Sequence, residues 1–324
     1  MQKAFCKEGG TDSMKKFTKI ILLIAAVLTV VGLGFIIAAS VTAGGAGALT
    51  AQLRSGELNF GNWHFEDGVY YKGDIEVNVS DMVEDAMQLL PTGSERAENE
   101  FTEKIIRLEI DVDLANITIK AGDTEKLRVC LEDGYTKYYD VKVDGDTLKV
   151  AYDVGGHTFK QGPKIVVEVP EHTVLEQMYI YTDLGEITLL ELEEGIEELE
   201  IISDLGNIRM DDCKVKESCT ISAALGNIII EDSFFEMVDM SAAMGNIDFS
   251  GKVKGDMTAQ ADMGNIEVEL EGNKEDYNIQ LSTEVGNVKF DGKKQENSFD
   301  VYHGNAQSYV VLNCDMGDVE LSYD

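Results

Sequence analysis

Residues 225–247 contain two copies of one phrase, Leu225-Gly226-Asn227-Ile228 and Met244-Gly245-Asn246-Ile247. Five further copies flank them: Leu184-Gly185-Glu186-Ile187, Leu205-Gly206-Asn207-Ile208, Met263-Gly264-Asn265-Ile266, Val285-Gly286-Asn287-Val288 and Met316-Gly317-Asp318-Val319. The glycines lie 21, 20, 19, 19, 22 and 31 residues apart. A period near twenty, with a glycine and β-branched flanks, marks a stack of small β units that bury their apolar faces only against one another. The sequence therefore predicts an all-β fold, a parallel β-solenoid of about eight coils.

The aligned copies supply the packing rule. An apolar residue stands before each glycine, Ile or Val stands two places after it, and a second apolar residue follows two further on (Leu189, Met210, Ile230, Phe249, Val268, Phe290, Leu321). Alternate residues of a strand share a face, so the last two positions point into the solenoid. The residues between them (Thr188, Arg209, Asp248, Glu267, Lys289, Glu320) point to solvent, and Ile229 breaks that rule once. The glycine is expected to take positive φ or to let neighbouring coils approach closely. Asn207, Asn227, Asn246, Asn265 and Asn287 are expected to stack at ~4.8 Å and to hydrogen-bond amide to amide along the axis. A second strand per coil is read at Leu199–Ile201, Cys219–Ile221, Val238–Met240, Met257–Ala259 and Ile279–Leu281. Successive units then stack in chain order into a rod ~40 Å long.

Upstream, Ile106, Leu108, Ile110 and Val112 alternate with polar residues, and Asp113-Leu114-Ala115-Asn116-Ile117 is a degenerate first copy with alanine in place of glycine. Asp144-Gly145 between alternating runs predicts a hairpin, and Ile165–Val169 predicts a strand closed by Pro170. Residues 42–100 read as a stalk. Ala43–Ala48 is nearly all Gly and Ala, 57–80 is aromatic with room for a strand or two, 81–90 has helical apolar spacing, and 92–100 is a polar linker.

The 324-residue chain carries a net charge of −33, unevenly placed. Residues 1–41 hold Lys3, Lys7, Lys15, Lys16 and Lys19 against Glu8 and Asp12, a local +3 that leaves −36 for the rest. Such acidity excludes a phosphate-tracking role, so no nucleic-acid partner is expected. Residues 20–41 run 22 places without a charge, long enough to span a bilayer. Lysines before the span and carboxylates after it predict a single-pass signal anchor. Residues 1–19 form a cytoplasmic tail, and the C-terminal domain, 101–324, lies outside the cell membrane. The competing reading is a cleaved signal peptide, since small residues follow the run, although its apolar stretch exceeds the usual 7–15. Translation from Met1 or from Met14 is left open. No lipid-attachment cysteine follows the span. Cys6, Cys130, Cys213, Cys219 and Cys314 match no zinc spacing and read as isolated thiols, with a Cys213–Cys219 bridge left open.

Taken as a set, Ile106-x-Leu108-x-Ile110, Leu114-x-Asn116-Ile117-x-Ile119-x-x-Gly122-Asp123, Ile165-x-Val167-x-Val169-Pro170 and the serial Gly-Asn-Ile copies resemble the bacterial putative-adhesin domain of unknown function, over roughly 101–324. The resemblance implies β-strand repeats, export or membrane anchoring on bacterial cells, and no catalytic residues. Ala115 and the 31-residue final interval depart from the pattern.

Candidate chemistry is sparse. His64, His157, His172 and His303 form no metal-spaced pair, and no nucleophile elbow occurs. Acidic residues precede several repeat glycines, and Asp183, Asp204 and Asp262 are the candidate calcium ligands. Ala224 and Ala243 interrupt that column, and the calcium-coil repeat is missing, so a solvated acidic face is the competing reading. No cofactor is expected. The function expected is non-enzymatic: a membrane-anchored surface module for adhesion or interaction, with an unknown extracellular ligand or membrane-protein partner. The alternatives are an envelope-stress or signalling accessory working through a membrane partner, and a carbohydrate-active enzyme.

Overall fold

The structure, a computed structural model, describes residues 63–66, 69–72, 95–154 and 163–323. The expected tail 1–19, span 20–41 and helical stretch 81–90 lie outside the described residues. Among the described residues no helix is long and apolar enough to cross a membrane. The chain divides into units 1–77 and 78–324. In the first, β1 (Trp63–Glu66) and β2 (Val69–Lys72) pair antiparallel as a hairpin.

The second unit is all β. It opens with β3 (Glu95–Phe101), β4 (Arg107–Leu114), β5 (Asn116–Gly122), β6 (Leu127–Gly134), β7 (Tyr139–Asp144), β8 (Thr147–Tyr152) and β9 (Lys164–Pro170). Regular coils follow, each with one strand on either side of a repeat glycine: β10 (Leu175–Leu184) with β11 (Ile187–Leu190), β12 (Ile196–Leu205) with β13 (Ile208–Asp211), β14 (Lys214–Leu225) with β15 (Ile228–Phe235), β16 (Val238–Met244) with β17 (Ile247–Val253), and β18 (Met257–Met263) with β19 (Ile266–Leu270). The chain ends with β20 (Tyr277–Val285), β21 (Val288–Phe290), β22 (Lys293–Lys294), β23 (Ser298–Val301), β24 (Ser308–Met316) and β25 (Val319–Tyr323). Strands of neighbouring coils pair in parallel, Ile187 opposite Ile208 and Ile208 opposite Ile228. The fold is a β-solenoid whose coils pair in parallel on both sides of the glycine corner, with a short third run (Lys214–Val215, Phe234–Phe235, Lys252–Val253) pairing in parallel beyond the second corner.

The stacking order corrects the expectation that coils follow the chain. In space the level before β4–β5 is β8–β9, although β8 and β9 come later in sequence. At the other end β24–β25 lies directly on β18–β19, and β20–β21 lies beyond it. In both places the chain steps out, builds the end level, then returns inside it. The outer levels carry antiparallel strands: β6 on β9 and β3 on β6, β7 on β8, β22 on β21 and β23 on β20. A parallel stack ended bluntly would offer open backbone groups to any passing strand. Here the first and last regular coils have neighbours on both sides, and the edge strands carry charges (Arg96, Glu98, Asp140, Lys142, Lys293, Lys294, Asp300). The 31-residue glycine interval holds this cap. Glu95–Phe101, read as the end of a linker, is likewise a cap strand, because β6 leaves an unpaired edge that β3 fills.

Inside, equivalent residues stack in columns. Ile117, Ile187, Ile208, Ile228, Ile247, Ile266, Val319 and Val288 are all essentially inaccessible to solvent. Burying such a side chain contributes ~1.5–3 kcal/mol, and the columns make one continuous core. A third inward column, three places before each glycine, holds only small groups: Thr182, Ser203, Ala223, Ala242, Ala261, Cys314 and Thr283. It sits under the corner, where Ser203 Oγ donates to Gly206 O and Thr283 Oγ1 donates to Gly317 O.

Candidate functional site

The glycine corner is the site the repeat builds. Gly226 has φ +157°, and a Cβ there would lie 2.0 Å from Gly206 O. The same contact, at 1.9–2.0 Å, recurs from Gly185 on Ala115 O to Gly286 on Gly317 O. No side chain fits a carbonyl at that distance, so the phrase requires glycine at every level above the first. At the β4–β5 level, where Asn116 N–H donates to Pro163 O of the neighbouring level at 3.0 Å, Ala115 stands in place of glycine. From Gly185 to Gly317 each glycine N–H donates to the carbonyl of the preceding position in the next coil, as Gly226 N does to Met244 O at 3.0 Å.

The asparagines line up, but not as the expected amide-to-amide ladder. Asn207 Oδ1 accepts from Asn227 N–H at 2.9 Å, Asn227 Oδ1 from Asn246 N–H at 2.8 Å, and Asn246 Oδ1 from Asn265 N–H at 2.8 Å. Asn265 Oδ1 then accepts from Asp318 N–H, and Asp318 Oδ1 accepts from Asn287 N–H. Each side chain thus satisfies a backbone N–H of the next coil that the corner geometry takes out of the strand ladder. Only an acceptor oxygen of short reach is needed, which is why Asp318 serves as well as asparagine. One side-chain link runs along the column, Asn287 Nδ2 donating to Asp318 Oδ1 at 3.0 Å, and its acceptor is a carboxylate rather than an amide.

The structure brings together two of the three calcium candidates. Tyr181 Oη donates to Asp183 Oδ1 at 2.6 Å and to Asp204 Oδ2 at 3.2 Å. Burial, then the charge of Asp183, raises the Asp204 carboxyl above its ordinary range, and the Tyr181 hydroxyl opposes this. A hydroxyl between the two carboxylates offsets their repulsion where a cation otherwise would. Asp262 does not join them. It is exposed on β18, with the Ala224 and Ala243 levels between it and Asp204.

Two overlapping stretches of the chain, residues 105–251 and 174–322, match the model of the family described as Toastrack DUF4097. The chain belongs to that family. It is the adhesin-like domain that the sequence motifs resemble, and the overlap of the matches reflects the repeat. No curated protein matches the chain. Among solved structures, the Toastrack chain is similar to a putative cell adhesion protein from Clostridium sporogenes (12% identity, 71% of this chain and 100% of that one, TM-score 0.34). It is also similar to a putative adhesin from Bacteroides fragilis (13%, 70% and 97%, 0.38) and a putative lipid binding protein from Parabacteroides distasonis (16%, 72% and 98%, 0.34).

The Toastrack domain has a second corner, after each strand of the other face, which the sequence reading did not single out. Glu191, Asp212 and Asp232 occupy it with left-handed φ of +56°, +51° and +46°. Asp211, Asp212 and Asp232 place carboxylate oxygens within 4.8 Å of one another. Arg209, paired with Glu231 and 3.6 Å from Asp211, supplies positive charge beside them. Next to this corner is a cleft of about 390 Å³ between the β9–β10 and β11–β12 turns, lined by Glu171, His172, Glu191, Glu193, Glu194 and Asp212. His172 Nδ1 lies 2.9 Å from Glu194 Oε1, which raises the imidazole above its ordinary pKa and lowers the carboxyl below its own. The arrangement is suited to holding a positive charge.

The remaining singled-out residues are dispersed. Cys130, Cys213, Cys219 and Cys314 are buried free thiols, so the bridge left open between Cys213 and Cys219 is not formed. Burial pushes Cys213 up to about 11. His303 lies in the loop before β24, where its N–H donates to Asn278 Oδ1. His157 and Cys6 are outside the described residues.

Proposed function

We propose that this protein is a non-enzymatic, membrane-anchored interaction module displayed outside the cell. Its N-terminal segment 20–41 serves as a single-pass anchor, with residues 1–19 in the cytoplasm. The observation that carries this reading is the register of the stack. Eight corners from Ala115 to Gly286 stack in one register, so the domain offers long, rigid, periodic surfaces. Such a scaffold suits recognition of an extended partner. The strongly acidic character of the chain beyond residue 41 accords with a soluble exported domain.

Two measurements test the reading. Alkaline washing of membranes from producing cells is expected to leave the full chain in the pellet, and protease added to intact cells is expected to remove the C-terminal domain. Release by the wash, or protection from protease, overturns the topology. Cells displaying the full chain are expected to bind cell-wall or host-surface material that cells lacking it do not. Equal binding by both overturns the interaction role.

A further inference from the structure

The residue before each corner glycine is apolar at every level, yet it does not belong to the core. In stack order the column runs Leu114, Leu184, Leu205, Leu225, Met244, Met263, Met316 and Val285. At its beginning, Leu114 is buried and packs with Leu184 and Leu205 in a small cluster of its own. At its end the side chains stand in solvent: Met244 is 42% exposed, Met263 41%, Met316 50% and Val285 65%. These four supply most of the large exposed apolar side chains of the described residues, and they occupy four consecutive levels. A contiguous exposed apolar ridge of this kind marks a contact surface, and methionine adapts its shape to a partner.

The ridge has a charged border. Asp262, Asp315 and Glu284 each precede a ridge residue, all are exposed, and among the described residues none forms an ion pair. We infer that the Met244–Met263–Met316–Val285 ridge docks a basic amphipathic helix of a partner protein. Charge selects a basic partner. A second copy of this chain would bring a second row of carboxylates against the first, and an anionic lipid surface would be repelled in the same way. Residues 81–90 of this chain, which have helical apolar spacing, hold Asp81, Glu84 and Asp85 with no base and are equally mismatched. Spacing selects a helix. Four levels at ~4.8 Å span ~14 Å, and three helical turns of ~5.4 Å span ~16 Å, so apolar residues one turn apart stay near register. The same-face residues of a strand, ~6.8 Å apart, drift out by the third. This deepens the reading of the domain as an interaction module and rests on it.

The test uses the full chain in phosphatidylcholine nanodiscs, with empty discs as blank. The probe is a labelled 18-residue Leu/Lys peptide with leucines at helical spacing, and the readout is fluorescence anisotropy. The parent is expected to bind it. The triple change Met244→Ser, Met263→Ser, Met316→Ser, made at exposed positions, is expected to weaken binding at least tenfold while leaving the thermal unfolding midpoint near that of the parent. Asp262→Asn, Asp315→Asn and Glu284→Gln together are expected to weaken it three- to tenfold and to flatten its salt dependence. A Leu/Lys peptide of strictly alternating order is expected to bind more weakly. Equal binding by parent and Met variant overturns the proposal, as does equal binding of a Leu/Glu peptide. Met-dependent self-association in sedimentation gives the ridge to a second copy, and Met-dependent flotation with phosphatidylcholine/phosphatidylglycerol vesicles gives it to lipid; either result also overturns it. Cell-surface binding that persists in the Met variant shows the ridge reading failing while the broader interaction role stands.

Discussion

Two corners of each coil follow opposite rules. At the first, the backbone passes so close to the coil below that a Cβ would sit about 2 Å from a carbonyl oxygen, and glycine recurs seven times. At the second, Glu191, Asp212 and Asp232 carry full side chains in the left-handed region. Their side chains face solvent, so the constraint there is local dihedral strain. Gly251, whose Cβ would lie 2.3 Å from Ser233 O, is the one level where the second corner closes as tightly. A sequence repeat is therefore strict where coils touch through backbone and loose where they touch through side chains.

The largest expected effect comes from breaking the tight corner. Gly226→Ala, with φ +157° and a carbonyl 2.0 Å from the new methyl, is expected to cost ~3–5 kcal/mol, the range of severe backbone and overpacking changes. Chemical denaturation measures it, and a loss under ~1 kcal/mol shows that the corner opens without cost.

Next in size is the acceptor column. Asn246→Leu orphans the Asn265 N–H and is expected to cost ~1–3 kcal/mol, whereas Asp248→Leu, beside Ile229 on the outer face, is expected to cost little or to stabilise. Equal losses in the two variants remove the role assigned to the side-chain oxygens.

Tyr181→Phe leaves Asp183 and Asp204 facing each other without their shared hydroxyl and is expected to cost ~1–2 kcal/mol near neutral pH. The Asp204 carboxyl is already raised in the folded protein, so its ionised form is disfavoured. The penalty should shrink as pH falls through that raised value and the group takes up a proton. A pH-independent loss contradicts the account.

Asp212→Gly probes the loose corner. Relief of left-handed strain and the greater freedom of the unfolded chain nearly cancel, and the change is expected within ~1 kcal/mol. A loss as large as that of Gly226→Ala erases the contrast between the corners.

The smallest effect is electrostatic. The His172 pKa is raised by Glu194, so its stabilising share is present below the ordinary imidazole value and is lost as pH rises through the raised one. Glu194 is lowered, so its share is lost as pH falls through the lowered value. Glu194→Gln is expected to return the His172 titration, followed by NMR, toward its ordinary midpoint. An unmoved midpoint rules the pair out as the cause.

Much of this was legible before any coordinates. Gly185 to Gly317 announced the coils, and Ile187 to Val319 announced one core column, because a strict period leaves an alignment inside a single chain. The small column from Thr182 to Cys314 lies three places before each glycine, but its mixture of Thr, Ser, Ala and Cys has no single hydropathy, so only its burial under the corner reveals it as a column. The asparagine bonds were misjudged for another reason: composition shows that a side chain can both donate and accept, and only backbone geometry shows that acceptance is what the corner needs. The acidic second corner was hidden because its residues share a backbone conformation rather than an identity.

The sequence by itself determined the repeat, its period, the inward columns and the need for a side-chain-free corner, since each is a property that one coil imposes on its neighbour in the same way at every level. Only the tertiary structure decided the order of the end coils, the pairing of Asp183 with Asp204 through Tyr181, and the exposure of the ridge from Met244 to Val285. Those depend on which segments meet across about 20 to 70 residues of chain, and no local pattern encodes a meeting at that distance.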